Sequence, residues 1–293
     1  LEEQKQAIIH RAVTRGLDPH VRLKPSGIDW LGDVPAHWNR VCVGHLVSLI
    51  TSGSRGWAEF YAETGSLFIQ SGNLGRDLAL DLTRAQHVVP PLGAEGLRTK
   101  VERDDILICI TGALTGNVAV VDIDLPSAFV NQHVALLRPC VADVVPRFFA
   151  YALRSPLGQH QFKQTEYGGT KQGLGLGEVK GAMVFLPPLE EQAAIVTRLD
   201  RELSNLRAAA RATERESNLL REYRTRLVAD VVTGKLDVRG VTLPPLPPLP
   251  PLPDEPEPEP ALDLDDGATL DDDPELMDAA EAYAESGDEG QRF

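Results

Sequence analysis

After the dipeptide Pro187-Pro188 the chain runs for 45 residues, "LEEQAAIVTRLDRELSNLRAAARATERESNLLREYRTRLVADVVT", without one proline or glycine until Gly234. A stretch with no breaker and so much Leu, Ala, Arg and Glu predicts one uninterrupted helix, roughly 65–70 Å long at 1.5 Å per residue. Leu199, Leu206, Thr213, Leu220 and Leu227 recur every seventh residue, and Leu203, Ala210, Ser217, Arg224 and Val231 fill the alternate seam. This 4-3 alternation is a coiled-coil pattern, diluted mid-helix by Ala210, Thr213 and Ser217. A rod with one apolar stripe needs a partner rod. Leu199, Leu203, Leu206, Ala210, Leu220, Leu227 and Val231 are therefore the expected helix–helix interface; the simpler alternative packs the helix on its own domain.

The end of the rod echoes the start of the chain. "AVTRGLD" (residues 12–18) matches "VVTGKLD" (residues 231–237), and Ile8 and Ile9 align with Leu227 and Val228. Aligned flanks make this an internal repeat. Residues 1–14 then read as the last turns of a helix, with Gly16 at its C-cap position. The expectation is a fragment of a longer, two-fold repetitive protein. The following "LKPSGIDWLGDVPAHW" (residues 23–38) is a Pro- and Gly-rich connector whose Trp30 and Trp38 are expected to pack on a neighbour.

Between connector and rod the texture changes to short β-rich runs: "HLVSLI", "SLFIQ", "HVVP", "DILICI", "NVAVVDI" and "HVALLRP". "RFFAYALRSPLGQHQFKQ" alone has helical periodicity, interrupted at Ser155-Pro156. The fold class is α+β: a β-rich globular domain over residues 39–186, a long coiled-coil helix, and a tail. From residue 241 the Pro-Pro-Leu repeats and acidic residues cannot bury enough apolar surface to fold. That tail also dominates the formal charge of −14. It holds 16 acidic residues and one basic, whereas residues 39–186 hold 13 of each. The globular part is thus neutral and carries no bulk basic field.

Three dispersed cysteines, Cys42, Cys109 and Cys140, fit a reducing, cytoplasmic setting rather than a disulfide framework or a zinc site. No apolar run approaches the ~20 residues needed to span a bilayer. Catalytic equipment is missing from the pattern. "TGALTGN" (residues 111–117) lacks the Lys-Ser/Thr ending of a phosphate-binding loop, and "YGGTKQGLGLG" (residues 167–177) lacks the dinucleotide spacing. There is no His-x-x-x-His, no paired-carboxylate arrangement, and no Asn/Asp-Pro-Pro-aromatic motif of a DNA methylase. His133, after Asn131 and Gln132, reads as a packed strand residue. What remains are polar, glycine-flanked loops suited to base edges and phosphates, although such loops are also ordinary solvated turns.

Taken in order, "SGIDWLGDVPAHW", "VERDDILICITGALTGNVAVV", "AFVNQHVALLRP", "EYGGTKQGLGLGEVKGAMVFLPPLEEQAAIV" and "REYRTRLVADVVTGKLDVRG" resemble the specificity subunit of type I restriction-modification systems, in its C-terminal half. The resemblance covers residues 1–240. It implies that residues 1–38 end a first spacer helix and lead in, 39–186 form a target recognition domain for double-stranded DNA, 187–240 form the second spacer helix, and 241–293 are a disordered acidic tail. It implies a non-catalytic chain without a cofactor of its own, reading one half of a bipartite target. S-adenosylmethionine, ATP and Mg would belong to partner modification and restriction subunits. The second reading half would lie in the same chain or come from dimerisation. On this reading the DNA-facing loops carry Gln70, Ser71, Asn73 and Arg76; Thr111, Gly112, Thr115 and Asn117; and Gly168, Gly169, Thr170, Lys171 and Gln172. Two alternatives compete: a non-catalytic coiled-coil adaptor whose globular domain binds protein, and, less well supported, a self-contained enzyme.

Overall fold

The computed structural model of the chain describes residues 2–240 apart from 54, 76, 92, 141 and 166–172. Helix α1 (Glu2–Arg15) stops where Gly16 turns left-handed, at φ 73°, and returns its amide to the Ala12 carbonyl at 3.2 Å. Glycine adopts that conformation without a Cβ penalty, so it caps the helix. The connector folds back as a hairpin of β1 (Leu23–Pro25) and β2 (Asp33–Pro35). Trp38 pins it: the ring is buried edge-on to Phe148, and its indole N–H donates to Glu191 Oε1 at 3.1 Å. Trp30 packs less completely, remaining 46% exposed with its ring 4.8 Å from that of His160.

Next come β3 (Asn39–Cys42), β4 (Val47–Ser52), β5 (Tyr61–Ala62), β6 (Ser66–Ile69), β7 (Gln86–Val88) and the short α2 (Ala94–Thr99). They are followed by β8 (Ile106–Cys109), β9 (Val118–Val120), β10 (Ala128–Val130) and β11 (Val134–Pro139). Helices α3 (Pro146–Arg154), α4 (Pro156–Thr165) and α5 (Leu176–Gly181) lead to β12 (Met183–Leu186) and the long α6 (Leu189–Val232). Each β-rich run picked out in the sequence contains a strand; β1, β2, β3, β5, β10 and β12 lie outside those runs. One sheet is antiparallel throughout in the order β4-β11-β8-β9, and the other, β10-β6-β7-β5, pairs β10 parallel to β6.

The first of these sheets is the middle layer. Alternate residues of a strand face opposite sides. Ile106 and Ile108 therefore join Ala135, Leu137, Val118 and Val120 in a core shared with α3, while Leu107 and Cys109 join Val134, Leu136 and Ala119 in a core under β6 and β10. A sheet covered on both faces reads as continuous apolar sequence, which is why "DILICI" and "HVALL" lack alternation. Each fully buried Leu or Ile here stabilises the fold by roughly 1.5–3 kcal/mol. Pro156 has no amide hydrogen and disfavours helix at the residue before it. Ser155 is accordingly extended, at ψ 163°, and separates α3 from α4.

β3 and β12 pair antiparallel from Asn39 with Leu186 to Cys42 with Met183, so the chain enters and leaves the globule on adjacent strands. α6 is one unbroken helix of 44 residues, about 66 Å long. Its start is held by buried Gln192, whose amide donates to the Pro187 carbonyl at 2.9 Å and accepts from the Val145 amide at 2.8 Å. α1 lies antiparallel against it: Gly16 abuts Glu191 at one end, and Lys5 and Arg207 share Asp77 at the other. Ile9, Ala12 and Val13 of α1, Phe148 of α3, and Ile195, Leu199 and Leu203 of α6 form one core. The seam read from the heptads is thus covered only at its beginning. Leu199 and Leu203 are buried, Leu206, Ala210 and Val231 are half-buried, and Leu220 and Leu227 are exposed. Packing on its own domain and pairing with another helix both occur, in the same few turns. Residues up to Val232 make one compact unit; residues 241–293, the acidic tail, lie outside the described residues.

Candidate nucleic-acid interface

Antiparallel pairing puts the C-terminal ends of β4 and β8 beside the start of β11, with Ser52 next to Ala135 and Cys109 next to Val134. The segments beyond those ends meet. Asn131 donates its amide to the Ile69 carbonyl at 3.0 Å, drawing in residues 70–73, and its own carbonyl accepts from the Gly53 amide at 3.0 Å. A Cβ at position 53 would lie 2.0 Å from the Val130 carbonyl oxygen, so only glycine permits this approach. Ile110 donates to the His133 carbonyl at 2.9 Å, Leu174 donates to the Ile110 carbonyl at 2.8 Å, and Thr111 bridges Gly173. Segments far apart in sequence therefore form one rim.

The expected DNA-facing residues divide into displayed and committed groups. Gln70 and Ser71 are half-buried on the rim, with the Gln70 amide donating to the Tyr61 hydroxyl at 3.0 Å. Thr111 also stands on it, and a Cβ at Gly112 would meet open space. Asn73, by contrast, is buried: its Oδ1 accepts from the Gln70 amide at 2.9 Å and its Nδ2 donates to the Asp81 carbonyl at 3.0 Å. Asn117 donates to the Leu74 carbonyl at 2.6 Å, and Thr115 donates to the Gly112 carbonyl at 2.7 Å. All three shape the loops; Asn73 is turned inward, a correction to its reading as a DNA-facing group, while Thr115 and Asn117 remain half-buried. Arg76, Gly168, Gly169, Thr170, Lys171 and Gln172 lie outside the described residues.

His133 requires a second correction, because it is exposed in the turn ahead of β11 rather than packed in a strand. Its Nδ1 meets the Thr111 hydroxyl and its Nε2 lies 3.1 Å from the Gln132 amide nitrogen. Gln132 and His133 are thus rim residues that pattern reading missed. The signal was present: Asn131, Gln132 and His133 are three polar residues between two apolar strands, the composition of a turn. Cys109, just beneath, is buried, and burial pushes its thiol up, so it is unsuited to nucleophilic work. Among the described residues no group of His, Cys, Asp and Glu is arranged to hold a metal ion.

The globule is bolted to α6 at three points. Gln192 is the first. At the second, Arg147 Nε lies 2.9 Å from both Asp200 carboxylate oxygens, the Tyr151 hydroxyl donates to Asp200 at 2.6 Å, and Arg147 also reaches Asp122 at 3.0 Å. Burial, then the bond to Asp200, holds the Tyr151 hydroxyl well above the usual phenol range, so it stays a donor. At the third, Asp77 pairs with Arg207 at 2.8 Å and with Lys5 at 3.4 Å. Asp77 and Leu78 are both left-handed, at φ 60° and 65°, although neither is glycine. Such strain persists only where its surroundings impose it. Here those are the two helix cations on Asp77 and the burial of Leu78, whose carbonyl accepts from the Val120 amide at 2.9 Å. Residues 192, 200 and 207 are about two turns apart, on one face over roughly 22 Å.

Residues 98–211 match the family described as the type I restriction modification DNA specificity domain. The specificity subunit of the type I restriction enzyme EcoBI from Escherichia coli is 32% identical over 124 residues, which cover 42% of this chain and 26% of that protein. A chain from a structural study of complex assembly and conformational transition in the type I R-M system superposes with a TM-score of 0.58 at 21% identity, covering 78% of this chain and 52% of that one. The HsdS subunit of Thermoanaerobacter tengcongensis superposes with a TM-score of 0.49 at 22% identity over 72% of this chain and 45% of its own. This chain thus spans about half, or less, of the length of the proteins it matches.

Proposed function

On the premise that this chain belongs with the specificity subunits of type I restriction-modification systems, we propose that its globule, residues 39–186, reads one half of a bipartite site in double-stranded DNA. The observation that carries this reading is the rim. Gln70, Ser71, Thr111, Gln132 and His133 are brought together from three separate loops, and Gly173, which follows Gln172 in the chain, bridges Thr111. A glutamine amide offers a donor and an acceptor side by side, which matches the N6 and N7 of adenine. With the described part of the globule close to neutral, affinity rests on fitted contacts more than on long-range attraction.

The reading head performs no covalent step. Its neighbours do: modification subunits that use S-adenosylmethionine and restriction subunits that use ATP and Mg dock on the spacer helices, within the cytoplasm. A second reading half, in the same chain or by dimerisation, lies along the rest of α6 and sets the gap between half-sites. The three attachments at Gln192, Asp200 and Asp77 support this because they make the head and the rod one rigid piece. Among the described residues no helix is long and apolar enough to cross a membrane.

The test uses the chain assembled with its methylating partner. Sequencing methylated adenines with and without the gene identifies the target. Gln132→Ala and Gln70→Ala should each then weaken target binding by about 1–3 kcal/mol per base edge left unread, with little change on unrelated duplex and an unchanged melting temperature. Equal binding by a variant lacking Gln70, Thr111, Gln132 and His133 together would reject the rim as the reading surface and favour a protein-binding adaptor.

A further inference from the structure

A half-open cavity of about 570 Å³ lies between α1, α6 and two loops of the globule, lined from these loops by Leu74, Gly75, Asp77 and Leu78 and by Ala113, Leu114, Thr115 and Asn117. Among the described residues, two carboxylates, Glu2 and Asp77, meet three cations there: Lys5 and Arg154 in the lining, and Arg207 beside it. Lys5 meets Glu2 at 3.1 Å and Asp77 at 3.4 Å, and Arg207 meets Asp77 at 2.8 Å. The third cation, Arg154, lines the cavity half-buried at the end of α3 and makes no ion pair or hydrogen bond with any described residue. Burial lowers its pKa, and the fields of Glu2 and Asp77 only partly offset that. A desolvated guanidinium without a partner is costly, and an anion at the same spot would complete it.

Donors for such an anion stand nearby. The turn "TGALTGN" is closed by its own backbone, Thr115 donating to Gly112 at 3.0 Å and Asn117 to Leu114 at 2.9 Å. The amides of Ala113 and Leu114 make no hydrogen bond among the described residues, and both residues line the cavity with Arg154. The turn lacks the lysine of a phosphate loop in its own sequence; the fold supplies a cation from α3 instead. Successive free N–H groups beside a guanidinium suit a phosphate group. Tyr151 is the sole aromatic in the lining and is buried, which leaves no surface for stacking a free nucleotide's base. Thr111, on the rim, is three residues from Leu114, so a duplex seated on the rim runs past this cavity.

Resting on the reading of the rim as a DNA surface, we propose that Arg154 and the amides of Ala113 and Leu114 hold one phosphate of the DNA backbone. The site contributes affinity and register without reading sequence.

The experiment measures binding of the assembled complex to its target duplex and to an unrelated duplex across a salt series. Arg154→Gln should weaken both by the same factor, about 3–10-fold, and reduce the log–log salt slope by about 0.9, the share of one phosphate. Arg154→Lys should restore the slope. Leu114→Glu, at an exposed position of the same turn, should weaken both duplexes equally and covers the case in which Arg154→Gln fails to fold. An unchanged slope and affinity in these variants would overturn the assignment, as would a loss confined to the target, which would mark a base contact. Inorganic phosphate provides the other arm. Protection of the wild type by millimolar phosphate that vanishes in Arg154→Gln, with DNA binding intact, would assign a free-anion site and reject the backbone phosphate. If the wild type bound neither duplex, the reading of the rim itself would fail, and this proposal with it.

Discussion

The two halves of α6 carry the same heptad seam and meet opposite fates. In the first, Ile195, Leu199 and Leu203 are fully buried against α1 and α3. In the second, the seam residues Leu220 and Leu227 are 61% and 38% exposed, and Val231 is only half-buried. The helix does not break between them, nor does its composition shift sharply. The difference lies outside the helix: α1, the connector and α3 stand beside the first half, and no described element covers the second. A heptad seam therefore records the capacity of a helix to pair, and only a neighbour converts that capacity into stability. The covered half also bears the attachments to the globule, through Gln192, Asp200 and Arg207. One stretch of helix thus carries the globule, and the next leaves its apolar stripe uncovered by any described element.

The sharpest way to break this contrast is a pair of equal truncations. Leu199→Ala should destabilise the chain by about 3 kcal/mol in urea unfolding, within the roughly 2–5 kcal/mol of buried leucine truncations. Leu220→Ala should change it by less than about 0.5 kcal/mol. Equal effects would mean that both halves are covered. Adding the rest of the assembly should raise the cost of Leu220→Ala toward that of Leu199→Ala, which sharpens the comparison. A smaller loss, about 1–3 kcal/mol, is expected from Gln192→Ala, because the Val145 amide and the Pro187 carbonyl would be left without their buried partner. Hydrogen exchange should then show α6 loosening near residue 192 with no change beyond residue 215.

The smallest effect concerns pH. His10 on α1 has its pKa lowered, first by burial and then by Arg15. Because the folded state resists the proton, the unfolded chain binds more protons just below the ordinary histidine value near 6.5. Stability should therefore fall as pH drops from about 6.5 toward the lowered value, and be regained above it. His10→Gln should flatten that dependence in melts run between pH 5 and 7.

Much of the fold was legible because its causes are local. Gly16, Ser155-Pro156 and Pro187-Pro188 act through the backbone of one or two residues, and each marks a helix end or start in the structure. The buried strands were legible from their apolar runs, although the same runs hid which residues face which core. β10 was harder, since it pairs with β6 about 60 residues earlier and is only three residues long. The candidate site was legible as a set of loops and illegible as a surface. "SGN" and "TGALTGN" look alike in composition to any polar turn. Nothing in that composition says that Asn73 and Asn117 turn inward to Asp81 and Leu74, or that Gln132 and His133 turn outward to Thr111.

Sequence by itself determined the continuous rod, its apolar stripe, the position of each helix break and the family resemblance, because backbone preference and periodicity are settled within a few neighbouring residues. Tertiary structure alone decided which half of the stripe is covered, which polar side chains stand on the rim, and that Arg154 ends beside a glycine turn with no ion pair to any described residue. Those outcomes depend on groups roughly 40 to 200 positions apart meeting in space, and a pairing over such distances is chosen by the packing of the whole unit rather than by any segment of it.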